Sequence, residues 1–314
     1  MDNAQQPPLV PICLGNGFFQ QRFIQHHQQF LAELPKLTEV CNRVFDRTLA
    51  SPDENERQAL LDANLPDDDP VVVEWEDRIT AGNLIFHFGL MAADDFNAVL
   101  LLSANGAGFS AFILLRSMYE RLVTAMYIAK KPSEARAFAE SSPIYKLNFL
   151  TRLRELVPEA KARYDDAFMD EVRQSAAASR AKRKQSICNK CGQPITNEAW
   201  TRVSLDVMAR EVDPVLEEFY GPIYVEGTYQ AHANSLGMER RLEETVRGYK
   251  YKGISENEAT LALHLAHNLM LRFVEMQNGH FNLNLDEAIR ERVTAFIAAW
   301  GEAPTSVVSE PSAS

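Results

Sequence analysis

Residues 109–130 read FSAFILLRSMYERLVTAMYIAK, and in that run only Arg116, Glu120, Arg121 and Lys130 carry charge. At 3.6 residues per turn this is about six turns of helix, too long for an ordinary strand. Ile113, Leu115, Met118, Leu122, Val123 and Met126 fall on all sides of it. A helix that is apolar nearly all round must be covered by other helices. The stretch therefore predicts a central buried helix in an all-α protein.

The flanks point the same way. Residues 98–115 (AVLLLSANGAGFSAFILL) pass 18 positions without a charge, close to the shortest helix that spans a bilayer. Asn105-Gly106-Ala107-Gly108 breaks that run, and Asp94, Asp95 and Arg116 border it. Two buried helices joined at a glycine turn are expected, with no membrane contact. Residues 71–103 read as one long or two shorter helices. Downstream, Lys131-Pro132-Ser133-Glu134 stops the central helix, with Ser133 as the next N-cap. From Gln20 to Val44 apolar positions recur every three or four residues, and Pro35 is expected to kink or split that helix. Further helices are predicted near 54–64, up to 156, over 158–184, over 197–234 with a kink at Gly221-Pro222, and over 256–277 and 285–300. Sustained period-two alternation is missing, so no sheet is expected. The organisation is an irregular arm (1–18), one large helical bundle (19–300) with an insertion at about 180–196, and a disordered tail (301–314).

The composition is that of a globular protein, 46% hydrophobic and 24% charged, with a net charge of −11. That acidity opposes non-specific nucleic-acid binding. Arg180, Lys182, Arg183 and Lys184 form a local basic patch through which nucleic acid would have to bind. The opening residues lack a leader pattern, and four cysteines make no disulfide framework, so a cytoplasmic location is expected. No P-loop, dinucleotide fingerprint, H-E-x-x-H or G-x-S-x-G motif occurs, which removes those enzyme classes in their usual forms.

Arg116 and Glu120 stand four residues apart, on one helix face. Such a pair in so apolar a helix either fixes packing or serves a ligand. The planar guanidinium fork suits a carboxylate or a phosphate. The string Leu115-Arg116-Ser117-Met118-Tyr119-Glu120, followed by Ala125-x-Tyr127-Ile128, resembles the signature helix of a bacterial domain-of-unknown-function family, number five-six-seven-seven. Trp200, Tyr220, Tyr224 and Tyr229-Gln230-Ala231-His232-Ala233-Asn234-Ser235 follow in that family's order. The likeness covers roughly residues 75–280. It implies a helical bundle of uncharacterised function in which His232 faces the Arg116/Glu120 helix across one polar pocket. There Arg116, Glu120 and His232 would form the catalytic set, and Tyr119, Tyr127 and Tyr224 would contact the ligand. An imidazole beside a carboxylate can serve as general acid or base. The function so implied is binding of an anionic ligand or action on a phosphate-containing substrate, with catalysis left open.

Two other readings compete. Cys188-Asn-Lys-Cys191-Gly192 has the shape of half a zinc-ribbon site. Cys13, Cys41, a histidine or a second copy of the chain would have to complete it, and a knuckle without metal fits the same letters. A structural zinc there suits a non-enzymatic interaction module, working as a homodimer or with a protein partner. Finally, Arg22-Phe-Ile-Gln-His-His27 fits the loose R-x4-H pattern of the HEPN-type helical ribonucleases, with Phe23 where those enzymes usually carry a polar residue.

Overall fold

The structure, a computed structural model, describes residues 17–45, 54–182, 186–187, 194–195 and 199–301. The elements begin with α1 (Gly17–His26), α2 (Gln28–Phe45), α3 (Glu54–Asp62), α4 (Pro70–Ala104) and α5 (Gly108–Lys130). They continue with α6 (Ser133–Ala139), α7 (Ser142–Leu156), α8 (Pro158–Arg163), α9 (Asp166–Lys182) and a short ladder of β1 (Ser186–Ile187) and β2 (Pro194–Ile195). Then come α10 (Leu205–Val212), α11 (Pro214–Phe219), a π-helical turn (Tyr220–Val225), α12 (Glu226–Ala231) and α13 (Ser235–Glu239). A hairpin of β3 (Leu242–Thr245) and β4 (Gly248–Tyr251) precedes α14 (Glu256–Phe281) and α15 (Asp286–Trp300). The protein is all-α apart from two small ladders.

The described chain groups into two compact units. The first draws on the described residues within 1–51, 85–127 and 205–314, the second on those within 52–84 and 128–204. In the first unit, α2, α14 and α15 pack together. Phe30, Leu37, Val44, Leu269, Phe273 and Phe296 are among the residues buried there. In α5, Leu115, Met118, Leu122 and Val123 have no exposed surface. In the second unit, α7 packs on α9 through Leu150, Met169 and Val172, with Leu147, Leu153, Tyr164 and Phe168 around them. Arg136 of α6 ties down the first half of α4, its Nε donating to Asp77 Oδ1 and its Nη2 to the Val73 carbonyl and Glu76 Oε2.

The uncharged run at 98–115 is two helices. Gly106 sits between them at φ +75°, a left-handed conformation that glycine adopts at least cost. A Cβ on Gly108 would lie 2.3 Å from the Ala259 nitrogen, so α5 begins where a side chain would not fit. By length and hydropathy alone α4 is long and apolar enough to cross a membrane.

Several local expectations change. Pro35 does not split its helix. It lies inside α2 on the exposed face, where water can serve the carbonyl its ring leaves unpaired. The interruption falls instead at His27, whose N–H still bonds to the Phe23 carbonyl. Ser133 is the first helical residue of α6, not its cap. The helix expected over 158–184 divides at Tyr164-Asp165, where Asp165 Oδ1 accepts the Phe168 N–H and starts α9. The kink at Gly221-Pro222 is a π-helical turn. The β3–β4 hairpin was not expected at all. Its residues are nearly all exposed, so no alternation of apolar and polar residues marks them. Most of the arm, most of the tail, Cys13, Cys188, Cys191, Arg183 and Lys184 lie outside the described residues.

Candidate functional site

Arg116 is the centre of a polar cluster in the first unit. Its Nε donates to Thr228 Oγ1 at 3.0 Å and its Nη2 to the Tyr224 hydroxyl at 3.1 Å. The guanidinium lies 4.5 Å from the Tyr224 ring centroid, and Nη2 is 3.5 Å from Glu120 Oε2. The Arg116 side chain is 26% exposed and that of Glu120 48%, so the ion pair is the weak member of the set and the hydrogen bonds the strong ones. Thr228 Oγ1 in turn donates to the Tyr224 carbonyl at 2.7 Å.

Local backbone geometry makes this possible. The π-helical turn carries Pro222, which has no N–H for a regular helical bond. It places Tyr220 and Tyr224 in a stack with ring centroids 5.2 Å apart. A Cβ on Gly227 would fall 2.5 Å from the Phe112 carbonyl oxygen and 2.6 Å from Arg116 Cβ, so α12 can approach α5 this closely only with glycine there.

The predicted site residues separate. Arg116, Glu120 and Tyr224 are together. Tyr119 is wholly buried and its hydroxyl donates to the Leu216 carbonyl at 2.6 Å, with burial holding the phenol well above its usual range. Tyr127 is 1% exposed, a core residue. Neither ring is open to a ligand. His232 is not bonded to Arg116 or Glu120. Its ring is exposed, and its backbone N–H caps α12 by donating to the Thr228 carbonyl at 3.2 Å. Thr228 thus links the two: its hydroxyl holds Arg116 and its carbonyl holds His232.

His232 instead lines a cleft of about 260 Å³ with Tyr229, Asn234, Met238, Arg241 and Tyr251. Arg241 has no counterpart in the sequence-based set. Its Nε donates to Gln230 Oε1 at 3.0 Å, its Nη1 to the Tyr251 hydroxyl at 3.1 Å, and its guanidinium is 5.2 Å from the Phe109 ring centroid. Gln230 is fixed by donating to Glu226 Oε1 at 3.0 Å. Asn234 stiffens the rim: its Oδ1 accepts the Gly237 N–H, and its Nδ2 donates to the carbonyls of Tyr229 and His232. No sequence signal marked Arg241, because its role depends on a hairpin that the residue pattern does not announce.

The remaining candidates fall as follows. Trp200 packs edge-on against Phe138 in the second unit, centroids 5.2 Å apart. His27 is buried between Phe23 and Trp300, with its Nε2 3.1 Å from Thr260 Oγ1, and burial lowers its pKa. Arg22 and His26 both pair with Glu256. The R-x4-H match therefore reads as packing. Among the described residues no group of His, Cys, Asp and Glu is arranged to hold a metal. Burial pushes the Cys41 thiol up to about 12, which opposes the thiolate that zinc requires.

The profile of the Family of unknown function (DUF5677) matches residues 84–249, just over half of the chain. The chain belongs to this family. The matched segment spans α5, the Arg116 cluster and the His232 cleft up to Tyr249. No match was found among functionally curated proteins or among solved structures.

Proposed function

We propose that this DUF5677 protein binds a small anionic ligand, a carboxylate or a phosphate, in the cleft of the first unit, with the Arg241 guanidinium and the His232 ring as its contacts. Arg241 carries the reading. Two of its donors are already tied to Gln230 and Tyr251, so the fork is held in place while Nη2 keeps no protein partner among the described residues. A pre-positioned guanidinium beside an exposed imidazole recognises an oxyanion at little ordering cost. Arg116 is then a positioning residue: through Thr228 it fixes the helix whose C-terminal cap is His232. A phosphate-containing substrate bound there would meet His232 as general acid or base.

Isothermal titration with inorganic phosphate tests this. The full chain should bind in the millimolar range or tighter, and Arg241→Ala should weaken binding about tenfold or more, the scale of a charge-assisted hydrogen bond. Unchanged phosphate affinity in Arg241→Ala, or no binding by the unaltered chain, would remove the proposal.

A further inference from the structure

The second unit carries a different feature. α7 and α9 border a cleft of about 540 Å³ lined by Asn148, Thr151, Arg152, Glu155, Arg173 and Arg180. Arg173 and Arg180 stand seven residues apart, on one face of α9, and the intervening Gln-Ser-Ala-Ala-Ala-Ser is small enough to leave the space open. Arg152 pairs with Glu155 and Arg173 with Asp170, each at i, i+3 and largely exposed. Such exposed pairs contribute little and yield readily to a stronger anion.

Tyr145 (48%) and Phe149 (64%) are exposed on α7, the helix that carries Asn148, Thr151 and Arg152 of the lining. They precede Arg152 by seven and three residues, so all three share one helix face. Charge favours the same place. Residues 128–204 hold 15 Lys and Arg against 9 Asp and Glu, whereas the rest of the chain holds 17 against 34. The basic excess is local to the segment that carries α7 and α9; with residues 52–84, which hold 2 against 10, the second unit as a whole holds 17 against 19.

We infer that the α7–α9 cleft binds single-stranded nucleic acid, its backbone phosphates between Arg152, Arg173 and Arg180 and its bases stacked on Tyr145 and Phe149. Arginines that track phosphates and exposed rings that accept any base are the recurrent elements of such binding. An acidic protein helix would match the charge equally well. It would also need an apolar floor, and the cleft lining offers only Leu147. This site is built from other residues than the His232 cleft, so either can fail without the other.

The test is fluorescence anisotropy of a labelled polyuridine RNA, about 12 nucleotides long to exceed one ordinary single-strand site, titrated with the full chain. Binding should appear at low salt and weaken linearly in a log–log plot against salt concentration, with a slope near −0.7 per phosphate contacted. The double variant Arg173→Ala/Arg180→Ala should flatten that slope by about one to two contacts. Phe149→Ala should weaken binding roughly five- to a hundredfold, the range of one base–aromatic stack, while Phe149→Tyr retains it. All these side chains are exposed or at a rim, and unchanged circular dichroism would show that the variants fold. No RNA binding at low salt, equal binding by all variants, or tighter binding of a polyglutamate peptide than of RNA would overturn the inference.

Discussion

At the scale of single residues, Arg116 illustrates how magnitude sorts interactions. Its contact with Glu120 is long and half in solvent and contributes little. Its bonds to Thr228 and Tyr224 and its position over the Tyr224 ring are shielded and directional. Arg116→Ala should therefore cost about 1–3 kcal/mol in chemical denaturation, and Glu120→Ala under about 1 kcal/mol. Arg116→Lys should recover only part of the loss, because one ammonium cannot reproduce a fork that serves two acceptors at once. Comparable losses for the Arg116 and Glu120 variants would contradict this ordering.

His267 supplies a pH dependence. The ring is packed among Phe30, Phe96, Phe296 and Trp300, and the Trp300 indole N–H donates to its Nδ1 at 3.0 Å. The acceptor nitrogen must be unprotonated, since an indole only donates. Burial, helped by His264, lowers its pKa from 6.5 to about 3, and burial also lowers His27 and His264. The unfolded chain therefore binds more protons than the folded one below pH 6.5, so this contribution to stability is complete above 6.5 and is lost as pH falls towards 3. Denaturation midpoints should drop between pH 7 and about pH 4.5, and His267→Phe should shrink that drop. A midpoint that holds steady over the interval would refute it.

At the scale of elements, the close passage of α12 over α5 depends on Gly227. Gly227→Ala places a methyl within 2.6 Å of Phe112 and Arg116 atoms and should cost about 1–3 kcal/mol, readable as a lower melting temperature. A neutral substitution would mean the two helices can separate without loss. This is also the scale at which the sequence was most and least legible. The long apolar helices announced themselves through 3.6-residue periodicity, and the break at Gly106 through its glycines. The π-helical turn and the β3–β4 hairpin did not. A π turn differs from a kink only in hydrogen-bond partners, and an exposed hairpin has no buried face to impress on the residue pattern. The site suffered accordingly. Arg116, Glu120 and Tyr224 were found from helical spacing and family order, whereas His232 faces the cleft that the hairpin completes and Arg241 was missed.

At the scale of the whole molecule, an all-α chain with net charge −11 distributes its charge unevenly along the sequence, with 15 Lys and Arg against 9 Asp and Glu over residues 128–204. The β1–β2 ladder pairs Ser186 with Ile195 and Ile187 with Pro194, on either side of the Cys188 and Cys191 segment. Structural zinc at those cysteines is a separate proposal. It predicts one zinc per chain, or one per two chains in a homodimer, seen by native mass spectrometry and lost in Cys188→Ser. Metal-free protein purified without chelator would reject it. The central claim concerns the His232 cleft, and its most direct test is nuclear magnetic resonance of the histidine ring protons during titration with inorganic phosphate at fixed pH. The account predicts that the His232 signals shift saturably in the full chain while those of buried His267 stay in place, and that Arg241→Ala moves the midpoint of that shift about tenfold or more to higher phosphate. Unmoved His232 signals, or an unchanged midpoint in Arg241→Ala, would contradict it.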